Sequence, residues 1–180
     1  MTGRVFVDAN VFLYAHDPSE PAKAPRAKAW LERVWRDRAG RTSFQVLSEY
    51  YVNATRKLRP GLSPEQAWQD VTTYFAWGPQ PIDEALLRRA REIEQRWRLS
   101  WWDSMVVAAA QLQDCALLLT EDLQDGAVFG SVTVRNPFTL DVREAAGLYA
   151  DTSPAWRQHP PRGRPRRAAT RGAGTSVGCR

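Results

Sequence analysis

The sequence predicts an α/β fold in which a mostly parallel sheet lies between helical layers. Three observations predict it. Short apolar runs of strand length occur at Val5-Phe6-Val7 and Leu117-Leu118-Leu119-Thr120. Longer stretches carry apolar residues at the 3.6-residue period of an amphipathic helix. The two kinds of segment alternate along the chain, as they do where crossover helices join parallel strands.

Taken in order, residues 5 to 8 read as a buried strand, short and rich in β-branched residues. A short helix is expected from Val11 to Ala15. From Lys23 to Arg38, Ala27, Trp30, Leu31, Val34 and Trp35 fall at i, i+3, i+4, i+7 and i+8, which defines a helix with a charged outer face. A short strand follows at Arg41-Thr42, then a helix from Phe44 to Lys57 with Leu47, Tyr50, Tyr51, Ala54 and Leu58 on one face. Ser63-Pro64-Glu65 is a helix start, with Ser as N-cap and Pro in the first turn. It leads into Ala67, Trp68, Val71, Tyr74 and Phe75.

Pro79 and Pro81 bracket an extended piece, and Asp83 caps a helix running to Trp97. Ser100 opens the helix that carries Met105, Val106, Ala109 and Leu112. Leu117 to Thr120 reads as a second central strand, and Val132-Thr133-Val134 as an edge strand stopped by Asn136-Pro137. The predicted domain spans residues 1–140. Residues 141–156 form a segment with no clear pattern, and residues 157–180 a low-complexity tail rich in Arg, Pro and Gly.

At 180 residues with 43% hydrophobic content and eight Trp, the chain has material for one sizeable core and is not a disordered protein. Its longest apolar candidate, Met105 to Ala110, falls far short of the ~18 residues that span a bilayer. The N-terminus reaches Val5 with no room for a signal peptide. Cys115 and Cys179 match neither a disulfide nor a metal framework, and a cytoplasmic protein is expected. The net charge of +5 misleads, because seven Arg and no acidic residue lie between Arg157 and Arg180. Removing those seven from 25 basic residues leaves 18 against 20 acidic ones, a net of −2 for residues 1–156. The tail is either a plain extension or a source of salt-sensitive affinity for RNA or DNA.

Four acidic residues, Asp8, Glu49, Asp103 and Asp122, stand where a carboxylate is costly. Asp8 and Asp122 close the two apolar strands, Glu49 lies in the helix from Phe44, and Asp103 interrupts the apolar helix after Trp101-Trp102. Carboxylates in or near a core require a partner or a cation. In open parallel sheets ligands bind beyond the carboxyl ends of strands, which is where Asp8 and Asp122 fall. Oxygen ligands without His or Cys select Mg²⁺, or Mn²⁺ in its place, over zinc. The natural chemistry of such a site is metal-assisted attack of water on a phosphodiester.

Each residue also has a plainer reading. Asp103 completes a capping box with Ser100, Glu49 is a solvated helix residue, and Asp122 begins a turn. Asn10 caps the helix from Val11, or else orients Asp8 or a metal-bound water. Asp8 is the hardest to explain without a ligand. A dinucleotide site is disfavoured, because no Gly-rich turn follows Val7.

Four segments together resemble the PIN-domain nucleases. Val7-Asp8-Ala9-Asn10-Val11 looks like the family's opening motif, and Ser43 to Tyr51 around Glu49 like its second. Trp101-Trp102-Asp103-Ser104 resembles the third, and Leu119-Thr120-Glu121-Asp122-Leu123-Gln124-Asp125-Gly126 the fourth. The match runs over residues 4–138 in the family's order, and its flavour is similar to VapC-type toxins. That resemblance implies a PIN-like three-layer α/β/α sandwich and a Mg²⁺-dependent endoribonuclease. It further implies a homodimer, silenced by a cognate antitoxin. By motif position Asp8 and Asp103 would be the principal metal ligands, with Glu49 and Asp122 completing the cluster directly or through water. Thr120 and Ser104 would be polar neighbours, and Glu121 would face away. The basic tail departs from the family's compact end.

An acidic cluster repels RNA, so basic residues elsewhere must hold it. Arg56, Lys57 and Arg59 are candidates, as are Arg88, Arg89 and Arg91; either set is otherwise an ordinary solvated helix face. Most Trp fall on core-facing stripes. Two other functions fit less well. One is a non-catalytic PIN-fold RNA-binding or adaptor protein. The other is a haloacid-dehalogenase-like phosphatase using Asp8 as nucleophile, which would need an Asp where this chain has Asn10.

Overall fold

In a computed structural model, residues 3–140 are described. The expectations for 141–156 and for the tail lie outside them. Five strands form one sheet in the order β2-β1-β3-β5-β4. β1 (Arg4–Val7) is an interior strand and pairs in parallel with β2 (Gly40–Arg41) and β3 (Cys115–Leu119). β3 pairs in parallel with β5 (Val132–Arg135), and only β4 (Val128–Phe129) runs antiparallel. The sheet is therefore mostly parallel, as the alternation of elements requires.

Strands covered on both faces must be apolar throughout. Val5, Phe6, Val7, Leu118 and Leu119 are all fully buried, and each such side chain contributes roughly 1.5–3 kcal/mol by leaving water. One group of helices comprises α1 (Ala9–Tyr14), α2 (Ala24–Arg36), α3 (Phe44–Arg56) and α4 (Pro64–Tyr74), in which α1 packs on α2 and α3, and α3 on α4. The other is α5 (Glu84–Trp97) packed along α6 (Trp101–Leu112), and α6 contacts β3 and β5. Among the described residues no helix is long and apolar enough to cross a membrane.

The helix starts obey their local chemistry. Ser43, Asp83 and Ser100 each accept a first-turn backbone N–H, and Ser63 forms a reciprocal capping box with Gln66. Cys115 is a buried free thiol, as expected of a small core residue.

Two expectations need correction. β5 is not an edge strand: Val128-Phe129 hydrogen-bonds along its far side, a two-residue strand too short to show in the sequence. The first helix begins at Ala9, not Val11, because Asp8 rather than Asn10 supplies the cap. As expected, most of the described Trp face the core: Trp30 and Trp77 are buried and Trp97 and Trp101 pack against it, while Trp35, Trp68 and Trp102 are exposed. Trp30 anchors its helix by donating its indole N–H to the Pro137 carbonyl at 3.1 Å.

Candidate active site

The β1–β3 pairing sets the floor of the site. Its register, Val7 opposite Leu119, continues one residue past both strands. The Asp8 N–H donates to the Leu119 carbonyl at 3.1 Å, and the Thr120 N–H to the Arg135 carbonyl at 3.2 Å. Asp8 and Thr120 thus leave the carboxyl edge of the sheet side by side, where open α/β sheets place their ligands.

Four hydrogen bonds fix this floor. Thr120 Oγ1 donates to Asp8 Oδ2 at 2.7 Å, and the Ala9 N–H donates to Asp8 Oδ1 at 2.7 Å. The Thr120 hydroxyl in turn accepts from Asn10 Nδ2 at 2.9 Å and from the Asp122 N–H at 3.1 Å. One donor and two acceptors are all that a hydroxyl has, so Thr120 is saturated. Asn10 Nδ2 also lies 3.0 Å from Asp122 Oδ2 and 3.4 Å from Asp8 Oδ2, and so ties both carboxylates together. Asn10 is not the cap of the first helix; its amide nitrogen bonds into the acidic pair instead.

The remaining carboxylates come from the helices. Asp103 is in the first turn of α6, where its N–H donates to Ser100 Oγ at 3.1 Å and its Oδ2 accepts from the same hydroxyl at 2.7 Å. The expected cap is present, yet it is a side-chain pair rather than a reciprocal box. Glu49 and Asp122 lie exposed at the rim, while Asp8 is buried, so only one of the four is a core carboxylate.

Asp8 and Glu49 feel the charges of the other acidic residues. Burial drives the Asp8 carboxyl up to about 7, against the pull of the Thr120 and Ala9 hydrogen bonds, and the charges of Asp122 and Glu49 push it further up. Desolvation also raises Glu49, followed by the charge of Asp122; Lys57 opposes this, and Asp103 adds to it. One acidic cluster therefore joins β1, α3, α6 and the loop after β3.

The donor set fits a hard cation: carboxylate, amide and hydroxyl oxygens, with one carboxylate buried. The buried Asn10 Oδ1 and Ser104 Oγ have no hydrogen-bond partner, which leaves two further oxygens free in the same region. Among the described residues, no three acidic, His or Cys side chains converge closely enough to hold an ion as they stand. The hydrogen bonds explain this, because Asp103 is turned to Ser100 and Asp122 to Asn10. Mg²⁺ commonly takes only one or two direct carboxylates and keeps its waters, so it does not need three.

Other predicted residues separate clearly. Glu121 faces away, into an ion pair with Lys23 at 2.8 Å. Arg88, Arg89 and Arg91 are each spent on a Glu of their own helix, Glu84, Glu92 and Glu94. Arg56, Lys57 and Arg59 are exposed, but Arg59 folds back onto the Arg56 and Leu58 carbonyls, and Lys57 acts on Glu49. Sequence reasoning missed Gln45, which is buried beside Glu49 in a hollow that Trp102 also lines. Its signal was present, since Gln45 precedes Glu49 by one helical turn.

The PIN domain family model matches residues 5–124. The chain belongs to the PIN-domain family, and its fold is that family's α/β/α arrangement. Among solved structures it is similar to a chain of a toxin–antitoxin complex from Klebsiella pneumoniae, with 20% identity and a TM-score of 0.53, over 74% of this chain and 97% of that one. It is also similar to Mycobacterium tuberculosis VapC20, a sarcin–ricin loop cleaving toxin, with 17% identity and a TM-score of 0.47, over 63% of this chain and 86% of that one. At these identities the likeness concerns the fold. A comparison with curated proteins gives no match.

Proposed function

We propose that this chain is a metal-dependent endoribonuclease of VapC type, the toxin of a toxin–antitoxin pair acting in the cytoplasm. The observation that carries the reading is the acidic cluster at the carboxyl edge of the sheet, built around a buried Asp8 whose protonation is displaced to about 7. Membership of the PIN family supports it, as does the fold shared with a chain of a toxin–antitoxin complex. The cognate antitoxin and a second copy of the chain are the protein partners proposed, and RNA is the substrate.

In this reading Asp8 and Asp103 hold Mg²⁺, or Mn²⁺ in its place, while Glu49 and Asp122 complete the cluster directly or through water. When bound, the ion supplies Lewis acidity at the phosphate and makes an attacking water acidic near neutral pH. The protein does the positioning. Thr120 and the Ala9 N–H hold the two oxygens of Asp8 in fixed directions, and Asn10 keeps Asp122 beside them. Ser104, buried next to Asp103, brings a hydroxyl that nothing else uses. Glu49 and Asp122, at the open rim, face the water that enters the site.

The test is cleavage of RNA by the purified protein in Mg²⁺, with the ends sequenced. Ends made by wild type should disappear with Asp8→Asn and with Asp103→Asn, while circular dichroism shows both variants folded. Undiminished cleavage by both would remove the site assignment. If wild type neither cuts RNA nor takes up Mg²⁺ in calorimetry, a non-catalytic RNA-binding protein becomes the better reading.

A further inference from the structure

Beside the acidic cluster lies a hollow of about 540 Å³ lined by Gln45, Glu49, Asn53, Ile82 and Trp102, with Ser48 and Val52. Three of these, Gln45, Glu49 and Asn53, recur every fourth residue of α3 and so form one stripe along the helix. Glu49 belongs to the hollow and to the cluster at once, which makes the two spaces continuous.

Two features of the hollow have no structural use. Trp102 is 64% exposed in the first turn of α6, directly before Asp103, whereas its neighbour Trp101 packs against the core. A large ring left in water forgoes the burial that Trp30 and Trp77 achieve in the same molecule. Gln45 is 7% exposed, yet its Oε1 has no hydrogen-bond partner. A buried amide oxygen without a partner costs stability unless a ligand supplies one.

An exposed aromatic ring and a buried, incompletely bonded amide lining one hollow, one residue from the acidic cluster, are what an unpaired base needs. Single-stranded RNA is read by stacking on aromatic rings and by hydrogen bonds to the base edge. We propose that this hollow is a base-binding subsite for the RNA nucleotide next to the cleaved phosphate, with Trp102 stacking on the base and Gln45 and Asn53 reading its edge. The inference rests on the endoribonuclease reading for its substrate. It makes Trp102 and Gln45 specificity-determining residues rather than catalytic ones. Cleavage is then confined to single-stranded positions, because a paired base cannot enter the hollow.

The test uses the full chain carrying Asp8→Asn, so that RNA is bound and not consumed, and reads fluorescence anisotropy with labelled single-stranded and duplex oligoribonucleotides. Base–aromatic stacking of roughly 1–3 kcal/mol corresponds to about 5- to 150-fold in affinity. Trp102→Ala should weaken single-strand binding by about tenfold or more and leave duplex binding unchanged, while Trp102→Phe retains most of the affinity. In the active background, Gln45→Ala should alter which base flanks the cut ends more than it alters the overall rate.

If wild type cleaves RNA but Trp102→Ala and Gln45→Ala neither weaken binding nor change the sites cut, the subsite is overturned and the nuclease reading stands. If the protein binds single strands through Trp102 without cutting them, the nuclease reading fails, and with it the subsite's place beside a cleaved phosphate, leaving only the stacking role of Trp102. Loss of dimerisation by Trp102→Ala in sedimentation, with RNA binding intact, would assign the surface to a protein contact and also overturn the proposal.

Discussion

Thr120 Oγ1 donates to Asp8 Oδ2 at 2.7 Å, joining residues 112 positions apart across a parallel strand pair. Its hydroxyl also accepts from Asn10 and from the Asp122 N–H, so one side chain orders three members of the site. Thr120→Val keeps the shape and removes all of this. With Asp8 ionised, a buried charge loses its shortest side-chain donor, which costs about 1–3 kcal/mol. At pH 5, where Asp8 keeps its proton, the loss should be smaller. Urea unfolding at pH 5 and pH 8 measures both, with Thr120→Ser as the variant that restores the bond. Equal losses at the two pH values would dissociate the hydroxyl from the charge on Asp8.

The displaced protonation of Asp8 gives a pH dependence with a definite sign. Burial raises its carboxyl from 3.8 to about 7, with Asp122 and Glu49 adding to the rise. The folded state therefore holds a proton that the unfolded chain has released. The stability from that proton is complete below about 4 and is lost as the pH rises to about 7. A cation needs the carboxylate, so its binding strengthens over the same window. In EDTA, the Tm of wild type should fall relative to that of Asp8→Asn between pH 5 and pH 8. The rise in Tm on adding MgCl₂ should be larger at pH 8 than at pH 5. A MgCl₂ effect of equal size at both would contradict the role given to Asp8.

These predictions rest on parts of the molecule that differed in how well the sequence displayed them. Strands buried on both faces, such as Val5 to Val7 and Leu117 to Leu119, can only be apolar, so they were visible as runs. The helix starts at Ser63, Asp83 and Ser100 were visible because a capping side chain acts on its own next turn. By contrast, the bonds of Asn10 to Thr120 and Asp122 cross more than 100 positions, and no local pattern separates them from a cap. The two-residue β4 exists only because β5 pairs with it. Trp102 looks like any apolar residue in the sequence, and only tertiary placement leaves it in water.

The approach of β2 to the aromatic cluster sets a tight limit at Gly40. This residue pairs with Val5, and a Cβ built there would overlap the ring of buried Trp77. Trp77 is itself held against Phe12, Tyr74 and Trp35. Gly40→Ala should therefore act as overpacking, costing ~1–3 kcal/mol. β2 leads within three residues to Ser43, the cap of the helix that carries Glu49, so the same substitution should lower cleavage. Chemical denaturation beside RNA cleavage below the unfolding transition checks both. An unchanged midpoint would show that the Trp77 ring can move aside.

Lys57 stands close enough to Glu49 to oppose the rise in its pKa, yet it is an exposed residue at the end of α3. A cation there has opposite effects on the two ligands proposed for the site. It repels a divalent ion and attracts a phosphate backbone. Lys57→Ala should therefore tighten Mg²⁺ binding by about twofold, the scale of a solvent-screened charge pair, while weakening RNA binding at low salt. Both effects should fade as the ionic strength rises past ~0.15 M, where the screening length falls to about 8 Å. Calorimetry with MgCl₂ and anisotropy with labelled RNA measure the two separately. If both affinities fall together, Lys57 acts by supporting the fold of α3; if neither changes, the charge does not reach the site. Opposite signs are expected only where one charge faces both the ion and the RNA.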